Sequence, residues 1–289
     1  MASDQMNIQW YPGHMTKTRR QIEADLKLVD AVCEIVDARI PISSRNPDID
    51  SICNNKPRII ILNRMDLADI NATKRWIEYF RSKGFAAVAT DCKSKKGIAA
   101  FQPAVRSVLK EKIARNAAKG MNKPLRVMIV GIPNVGKSTL INQISGRKGA
   151  KAENRPGVTR GKQWVTVDNS LLLLDTPGIL WPKFEDPEVG MMLAYTGAVK
   201  ENVIDSEELA CRLMELLWRH YPQTLRDRYG IDPQETLPGY MLLEMAGRKR
   251  GYLLTRGEIN TERMARVLLD EYRSGKLGYF TLEVPEDLI

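Results

Sequence analysis

Residues 31–37, 58–62, 85–90 and 125–130 are short apolar runs that end in polar, turn-forming segments, the signature of strands. Arg58-Ile59-Ile60-Ile61-Leu62 lacks polar alternation, as expected of a strand buried on both faces of a parallel sheet. Between these runs the period changes. Ile22, Leu26 and Val29 recur at helical spacing within 16–29, a helix over about 71–83 stops at Gly84, and a long helix runs out in the polar stretch 115–123. Strands alternating with helices predict parallel βαβ units, which bind ligands at the carboxyl ends of the strands. Two further runs, 163–167 and 171–174, flank Asp168-Asn169-Ser170 and predict a hairpin adding an antiparallel edge. From about Lys183 strand signals nearly vanish. Helical patterns at 189–196, 206–220, 236–246 and 261–273 follow, with Leu209, Leu213, Leu216 and Leu217 forming a core stripe. The expectation is a mostly parallel six-stranded α/β domain over residues 1–182 and a smaller all-α domain over 183–289.

One turn in this frame carries chemistry. Gly131-Ile132-Pro133-Asn134-Val135-Gly136-Lys137-Ser138 follows a buried strand and opens a helix, which fits G-x-x-x-x-G-K-[ST]. In such a loop the backbone N–H groups and the lysine surround a nucleotide's phosphates, here from Asn134, Val135, Gly136, Lys137, Ser138 and Thr139. Lys137 is expected to bridge the β- and γ-phosphates and Ser138 to coordinate Mg²⁺. Asp175, closing the last strand, can act on that metal through water, and the Gly178 N–H can meet the γ-phosphate. Thr159, in the polar, glycine-containing segment 146–161, is the best candidate for a switch hydroxyl that also reaches the metal; Thr166 and Thr176 compete for that role.

A second constellation selects the base. Asn63-Arg64-Met65-Asp66 leaves the 58–62 strand, and the Asp66 carboxylate can accept from the N1–H and exocyclic amine that guanine presents together. Adenine has an acceptor at N1, so Asp66 favours guanine. Arg64 stands where lysine is common, and a guanidinium can also lie over a base plane. Thr90-Asp91-Cys92-Lys93 can offer backbone N–H groups to the guanine carbonyl, with Cys92 at the centre of that loop.

Charge and cysteine usage narrow the setting. A formal net charge of +9 over 289 residues and a pI near 9.3 point to a polyanionic partner, nucleic acid first. Lys17, Arg19, Arg20, Arg248, Lys249, Arg250, Arg263, Arg266, Arg273 and Lys276 can grip RNA phosphates, and without interleaved aromatics they would recognise backbone and shape rather than base sequence. Four widely spaced cysteines include no C-x-x-C pair, so they read as free intracellular thiols. No apolar run approaches the roughly 18 residues of a membrane span, and the start lacks the apolar core of a signal peptide. A cytoplasmic protein, monomeric and without a membrane partner, is expected.

Taken in chain order, the base motif, base loop, phosphate loop, switch threonine and Asp175-Thr176-Pro177-Gly178 resemble the five motifs of Ras-like GTPases in rotated order. Trp10-Tyr11-Pro12-Gly13-His14-Met15, Asp37-Ala38-Arg39-Ile40-Pro41 and Arg273-Ser274-Gly275-Lys276-Leu277-Gly278 are similar to the ribosome biogenesis GTPase A family, also called YlqF, a group of circularly permuted GTPases. The resemblance covers nearly the whole chain. It implies a circularly permuted P-loop GTPase that binds GTP and GDP with Mg²⁺ and acts late in maturation of the large ribosomal subunit, with the subunit precursor and its rRNA as partners. Ras-like proteins position the attacking water with a glutamine after Asp-x-x-Gly. Here that residue is Ile179, which cannot orient water, and the family resemblance assigns the task to His14. By the same resemblance Asn134 is a candidate to hold K⁺ near the developing charge. A nucleotide-gated RNA-binding module without required turnover, and a signalling switch directed at proteins, are the alternative readings.

Overall fold

A computed structural model describes residues 15–53, 56–146, 163–178, 186–199, 205–232 and 237–288. These form two compact units, one of residues 15–178 with 283–288, the other of 186–282. The expected division at 182/183 lies outside the described residues.

The first unit opens with α1 (Met15–Asp25), closed by a 3₁₀ turn at Leu26–Leu28. The predicted helix thus tightens in its last turn rather than continuing to Val29, yet Ile22, Leu26 and Val29 are all buried, as their spacing requires. β1 (Ala31–Asp37) is buried along its whole length, and α2 (Asp48–Cys53) is a short helix beyond the predicted turn. β2 (Arg58–Asn63), α3 (Ile70–Ser82) and β3 (Ala86–Thr90) follow. Asp69 caps α3, its side chain accepting from the backbone N–H of Asn71 and Ala72. The predicted long helix is two, α4 (Phe101–Val108) and α5 (Lys110–Ala118), broken at buried Leu109. β4 (Leu125–Gly131) leads through the phosphate loop into α6 (Lys137–Ser145), and β5 (Gln163–Asp168) with β6 (Leu171–Asp175) forms the predicted hairpin.

The six strands lie in the order β3-β2-β1-β4-β6-β5, parallel except for the β5 edge. Side chains alternate across a sheet, so Val32, Glu34 and Val36 of β1 share one face. On that face Ile22, Leu26, Ile49 and Ile52 pack with Val32, Met128 and Leu174, while Trp76 and Phe80 of α3 pack with Val36, Ile60 and Leu62. Helices α4 and α6 lie against strands too, α4 on β2 and β3 and α6 on β4, β5 and β6. The strand order reverses between β1 and β4, the switch point where loops at the carboxyl ends part to admit a ligand.

The second unit is helical: α7 (Pro187–Tyr195), α8 (Ser206–His220), α9 (Pro222–Tyr229), α10 (Gly239–Lys249) and α11 (Thr261–Ser274). Leu209, Leu213 and Leu217 of α8 are fully buried with Leu242 of α10 and Leu268 of α11, as the stripe predicted, whereas Leu216, also in that stripe, is only partly buried. The sequence reading did not find α9, because Pro222 reads as punctuation although proline at a first helical position starts a helix. Helix α10 starts later than predicted, after Pro238. A Cβ on Gly239 would lie 2.1 Å from the Cys211 carbonyl oxygen, so only glycine permits this approach of α10 to α8. No helix among the described residues is long and apolar enough to cross a membrane.

Candidate nucleotide site

The site is assembled at the carboxyl ends of β4, β6, β2 and β3. The phosphate loop turns through left-handed conformations at Asn134 (φ 60°) and Gly136 (φ 104°) before α6 begins. A Cβ on Gly136 would meet Asn63 Nδ2 at 2.4 Å, and one on Gly131 would meet the Ile35 carbonyl oxygen at 2.6 Å. Both glycines are therefore demanded by close packing beneath the loop.

Asn63 is the joint of the site. Its Nδ2 donates to the Val135 carbonyl at 2.7 Å, and its Oδ1 accepts from Thr90 Oγ1 at 3.1 Å. One side chain thus ties the phosphate loop, the β2 exit and the β3 exit together. Sequence reasoning placed Asn63 in the base motif but missed this bridge and its partner Thr90; the signal was the polar residue ending each of two otherwise apolar strands. Beyond Asn63 the chain turns at Arg64 (φ 63°), the Met65 N–H donates to the Thr90 carbonyl, and Asp66 follows. Asp66 Oδ1 is buried with no hydrogen-bond partner.

The 91–97 loop closes on itself. The Asp91 N–H donates to the Lys96 carbonyl and the Lys93 N–H to Asp91 Oδ1. Burial works to raise the Asp91 carboxyl, but hydrogen bonds from Ser94 and the Lys93 and Ser94 backbone, with the nearby Arg64 charge, hold it below its ordinary value. Gly97 (φ 80°) permits the return, since a Cβ there would lie 2.1 Å from the Ala89 carbonyl oxygen. The Cys92 side chain is buried, and burial pushes its thiol up to about 12.

On the phosphate side Lys137 is buried, its Nζ donating to the Gly131 and Ile132 carbonyls at 3.1 and 2.7 Å. Burial lowers its ammonium to about 8, against the attraction of Asp175. Ser138 Oγ donates to Asp175 Oδ2 at 3.5 Å, and Asp175 Oδ1 is buried without a partner. Burial pushes the Asp175 carboxyl up, against Lys137 and the Ser138 hydroxyl. Gly178 lies over the phosphate loop, where a Cβ would be 2.9 Å from Pro133 Cα and 3.0 Å from Lys137 Nζ. Thr139 continues into the first turn of α6.

Two buried carboxylate oxygens are thus orphaned, one where guanine donors would arrive and one beside the Ser138 hydroxyl where a cation would sit. An orphaned buried acceptor is costly, and the donor set of serine hydroxyl and carboxylate suits Mg²⁺. The residues fit both groups. Of the competing hydroxyls, Thr176 Oγ1 donates to the Ile129 carbonyl at 2.7 Å and Thr166 is exposed on β5. His14, Thr159 and Ile179 lie outside the described residues.

The expected RNA-gripping cations divide. Arg273 donates to the Tyr195 and Ala194 carbonyls at 3.0 and 2.7 Å, and Arg250 pairs with Glu271 at 3.4 Å and lies over Tyr229, so both serve the helical unit internally. Arg20, Arg248, Lys249, Arg263, Arg266 and Lys276 are exposed, with Arg248 paired to Glu244 and Arg266 to Glu262. His220 is exposed at the end of α8.

A phosphate loop, a buried and unpartnered Asp66 oxygen in the Asn63-x-x-Asp66 turn and an Asp-x-x-Gly turn, all on one mostly parallel sheet but with the Asn63-x-x-Asp66 half first in the chain, define a circularly permuted P-loop GTPase. A family model described as 50S ribosome-binding GTPase matches residues 126–226. Ribosome biogenesis GTPase A of Priestia megaterium is 47% identical over 98% of this chain and 98% of that protein. Its Thermotoga maritima counterpart is 34% identical over 97% and 96%. The solved structure of GNP-bound YlqF from T. maritima covers 93% of this chain and 99% of its own, with a TM-score of 0.60 and 29% identity. A GDP-bound YlqF structure gives 0.65 and 30%, covering 93% and 100%. The chain belongs to the ribosome biogenesis GTPase A (YlqF) family.

Proposed function

We propose that this chain binds GTP, hydrolyses it to GDP and phosphate, and uses the cycle as an assembly factor late in maturation of the large ribosomal subunit. The observation that carries the nucleotide reading is the pair of orphaned oxygens, Asp66 Oδ1 and Asp175 Oδ1, on either side of a phosphate loop that Asn63 locks to the base loops. Asp66 accepts from guanine, and backbone N–H groups around Cys92 face its carbonyl. Arg64 lies beside the base. Lys137 leaves the loop carbonyls and turns its ammonium to the phosphates, joined by backbone N–H groups of Asn134 to Thr139. Ser138, Asp175 and Thr159 would hold Mg²⁺, which would supply charge neutralisation for the phosphates. The Gly178 N–H meets the γ-phosphate. His14 orients the attacking water in place of the glutamine that Ile179 replaces, and Asn134 holds K⁺. With its water-positioning group borrowed from a distant loop, hydrolysis is slow alone and rises on the ribosomal particle. The partners are the large-subunit precursor and its rRNA in the cytoplasm, met by a monomer through its 1–182 and 183–289 domains.

The base-selecting step has a direct test. Asp66→Asn replaces an acceptor by an amide donor, which suits the 2-carbonyl of xanthine and not the 2-amine of guanine. Titration with fluorescent GDP and XDP is expected to show GDP binding weakened at least tenfold and XDP binding gained. Unchanged GDP affinity in this variant would remove Asp66 from the site. For the cycle itself, sedimentation with purified large subunits is expected to show binding with a non-hydrolysable GTP analogue that is lost with GDP.

A further inference from the structure

Charge on this chain is concentrated in a place that the nucleotide site does not use. Residues 106–126 hold seven basic side chains, Arg106, Lys110, Lys112, Arg115, Lys119, Lys123 and Arg126, against the single acid Glu111. That is a local excess of six in a chain whose total is +9. The centre of this stretch is α5, which buries none of its residues. Its helicity rests on good intrinsic formers, Lys, Glu, Arg and Ala, and not on packing.

Only Lys112, Ile113 and Asn116 are partly covered, so they mark the side of α5 turned to the protein. At 100° per residue the opposite side is centred on Ala114 and Ala118 with the acid Glu111 beside them, flanked by Lys110 on one side and Arg115 on the other, with Lys119 further round toward Lys112. All six are exposed. Lys110, Arg115, Lys119 and Lys123 make no ion pair among the described residues, whereas Lys112 pairs with Asp30. Asp30 also accepts the Arg126 N–H at 2.9 Å, which anchors α5 at the starts of β1 and β4. The nucleotide loops leave the opposite ends of those strands, about 20 Å away for a seven-residue strand.

We propose that α5 is a second grip on RNA, carried by the GTPase unit: a cationic helix side that lies along an RNA phosphate backbone. This rests on the ribosomal reading above and assigns it a surface outside the helical unit. The free cations step by five and four residues, about 7.5 and 6 Å along the axis, and alanines between them let a backbone approach closely. A protein interface would need an apolar centre with few charges; here the exposed centre is alanine methyls beside the single acid Glu111, and the flanks are cationic. Contact with phosphates makes binding steeply salt-dependent and indifferent to sequence.

The test is the triple variant Lys110→Gln, Arg115→Gln, Lys119→Gln, with affinity for purified large subunits and for rRNA extracted from them measured across KCl concentrations. Melting temperature and GDP affinity should match wild type, since the three side chains are exposed and remote from the nucleotide. Binding to both RNA forms should weaken at least tenfold at low salt, and the slope of log K against log salt should become shallower by roughly 2 to 3, one contact per lost cation. Wild-type affinity and slope in the variant would overturn the proposal. Loss of subunit binding with naked rRNA binding intact would also overturn it, because the partner would then be an acidic protein surface. A wild-type protein that binds neither would refute the ribosomal reading itself, which the comparison keeps separate.

Discussion

If Asn63 is the joint between the two halves of the site, removing its amide should cost stability and nucleotide affinity without touching base choice. Asn63→Ala deletes a donor to the buried Val135 carbonyl and an acceptor for the buried Thr90 hydroxyl, at 2.7 and 3.1 Å. Each group left unpaired in the interior costs about 1–3 kcal/mol. With Asn63 itself only 1% exposed, water cannot take its place without a cavity for it. The expected loss is about 3 kcal/mol, which lowers the melting temperature of a domain of this size by roughly 6–12 °C. GDP should bind more weakly, because the phosphate loop and the base loops are no longer held in register. The ratio of GDP to ADP affinity should stay at the wild-type value, since the proposed guanine acceptor, Asp66, is left in place. Thermal melts without nucleotide and parallel GDP and ADP titrations measure all three. A variant that melts as wild type, or that loses guanine preference while keeping GDP affinity, refutes the reasoning.

Gly136→Ala should be worse for binding than for folding: the φ of 104° and the 2.4 Å approach to Asn63 Nδ2 force the loop to shift, and GDP binding should fall below detection in a titration while the helical unit stays folded by circular dichroism. Glu34, 1% exposed, accepts from Arg45 and Arg58 beneath the sheet; Glu34→Ala leaves both guanidinium groups with Asp50 as their remaining acid partner and should destabilise by about 1–3 kcal/mol in denaturant unfolding. Glu271 gives a pH signature. Burial works to raise its carboxyl, but hydrogen bonds from Arg228 and Tyr229 with the Arg228 and Arg250 charges hold it below its ordinary 4.5. Its stabilising contribution is therefore complete above that pH and is lost as pH falls through the lowered folded value. Acid titration of Glu271→Gln should lack that component of the stability loss below pH 4.5 that wild type shows; identical acid curves would remove the assignment.

What could be read in advance followed from how local each signal is. Six strands, the hairpin and the phosphate loop are set by neighbouring residues: the apolar runs match strands to within a residue or so, and Gly131 to Ser138 states its own loop geometry. Four features carried no local signal of that kind. Helix α2 is six residues long, too short for a periodic signal. The break at Leu109 follows from a side chain drawn into the core, which the apolar count of one long helix does not register. The Asn63–Val135 bond spans 72 residues, so the bridging role is invisible until the sheet places β2 under the phosphate loop. For the cations, sequence weighed Arg273 and Arg250 equally with exposed arginines, whereas folding turns them onto carbonyls and Glu271.

Residues 283–288, after the helical unit, belong to the GTPase unit. Glu283 belongs to the GTPase unit, its carboxylate accepting from the Ile42 and Ser43 N–H groups at 2.7 and 3.0 Å, and its carbonyl from Trp76 Nε1 at 2.9 Å. Arg75 and Glu286 pair beside it. Within the GTPase unit, the segment that follows residue 282 is thus seated on the loop that leaves β1 and on α3. A chain ending at residue 282 would strand two backbone N–H groups and an indole N–H, so the nucleotide unit itself should lose about 2–4 kcal/mol although no residue of its site is touched. Glu283→Gln separates the carboxylate from the chain end: it keeps the tail and the carbonyl bond but offers one acceptor oxygen in place of two, and should recover more than half of that loss in the same unfolding assay. Equal losses in the two variants would mean that the carboxylate alone seats the tail, and no loss in either would mean that the tail contributes nothing to the unit it packs on.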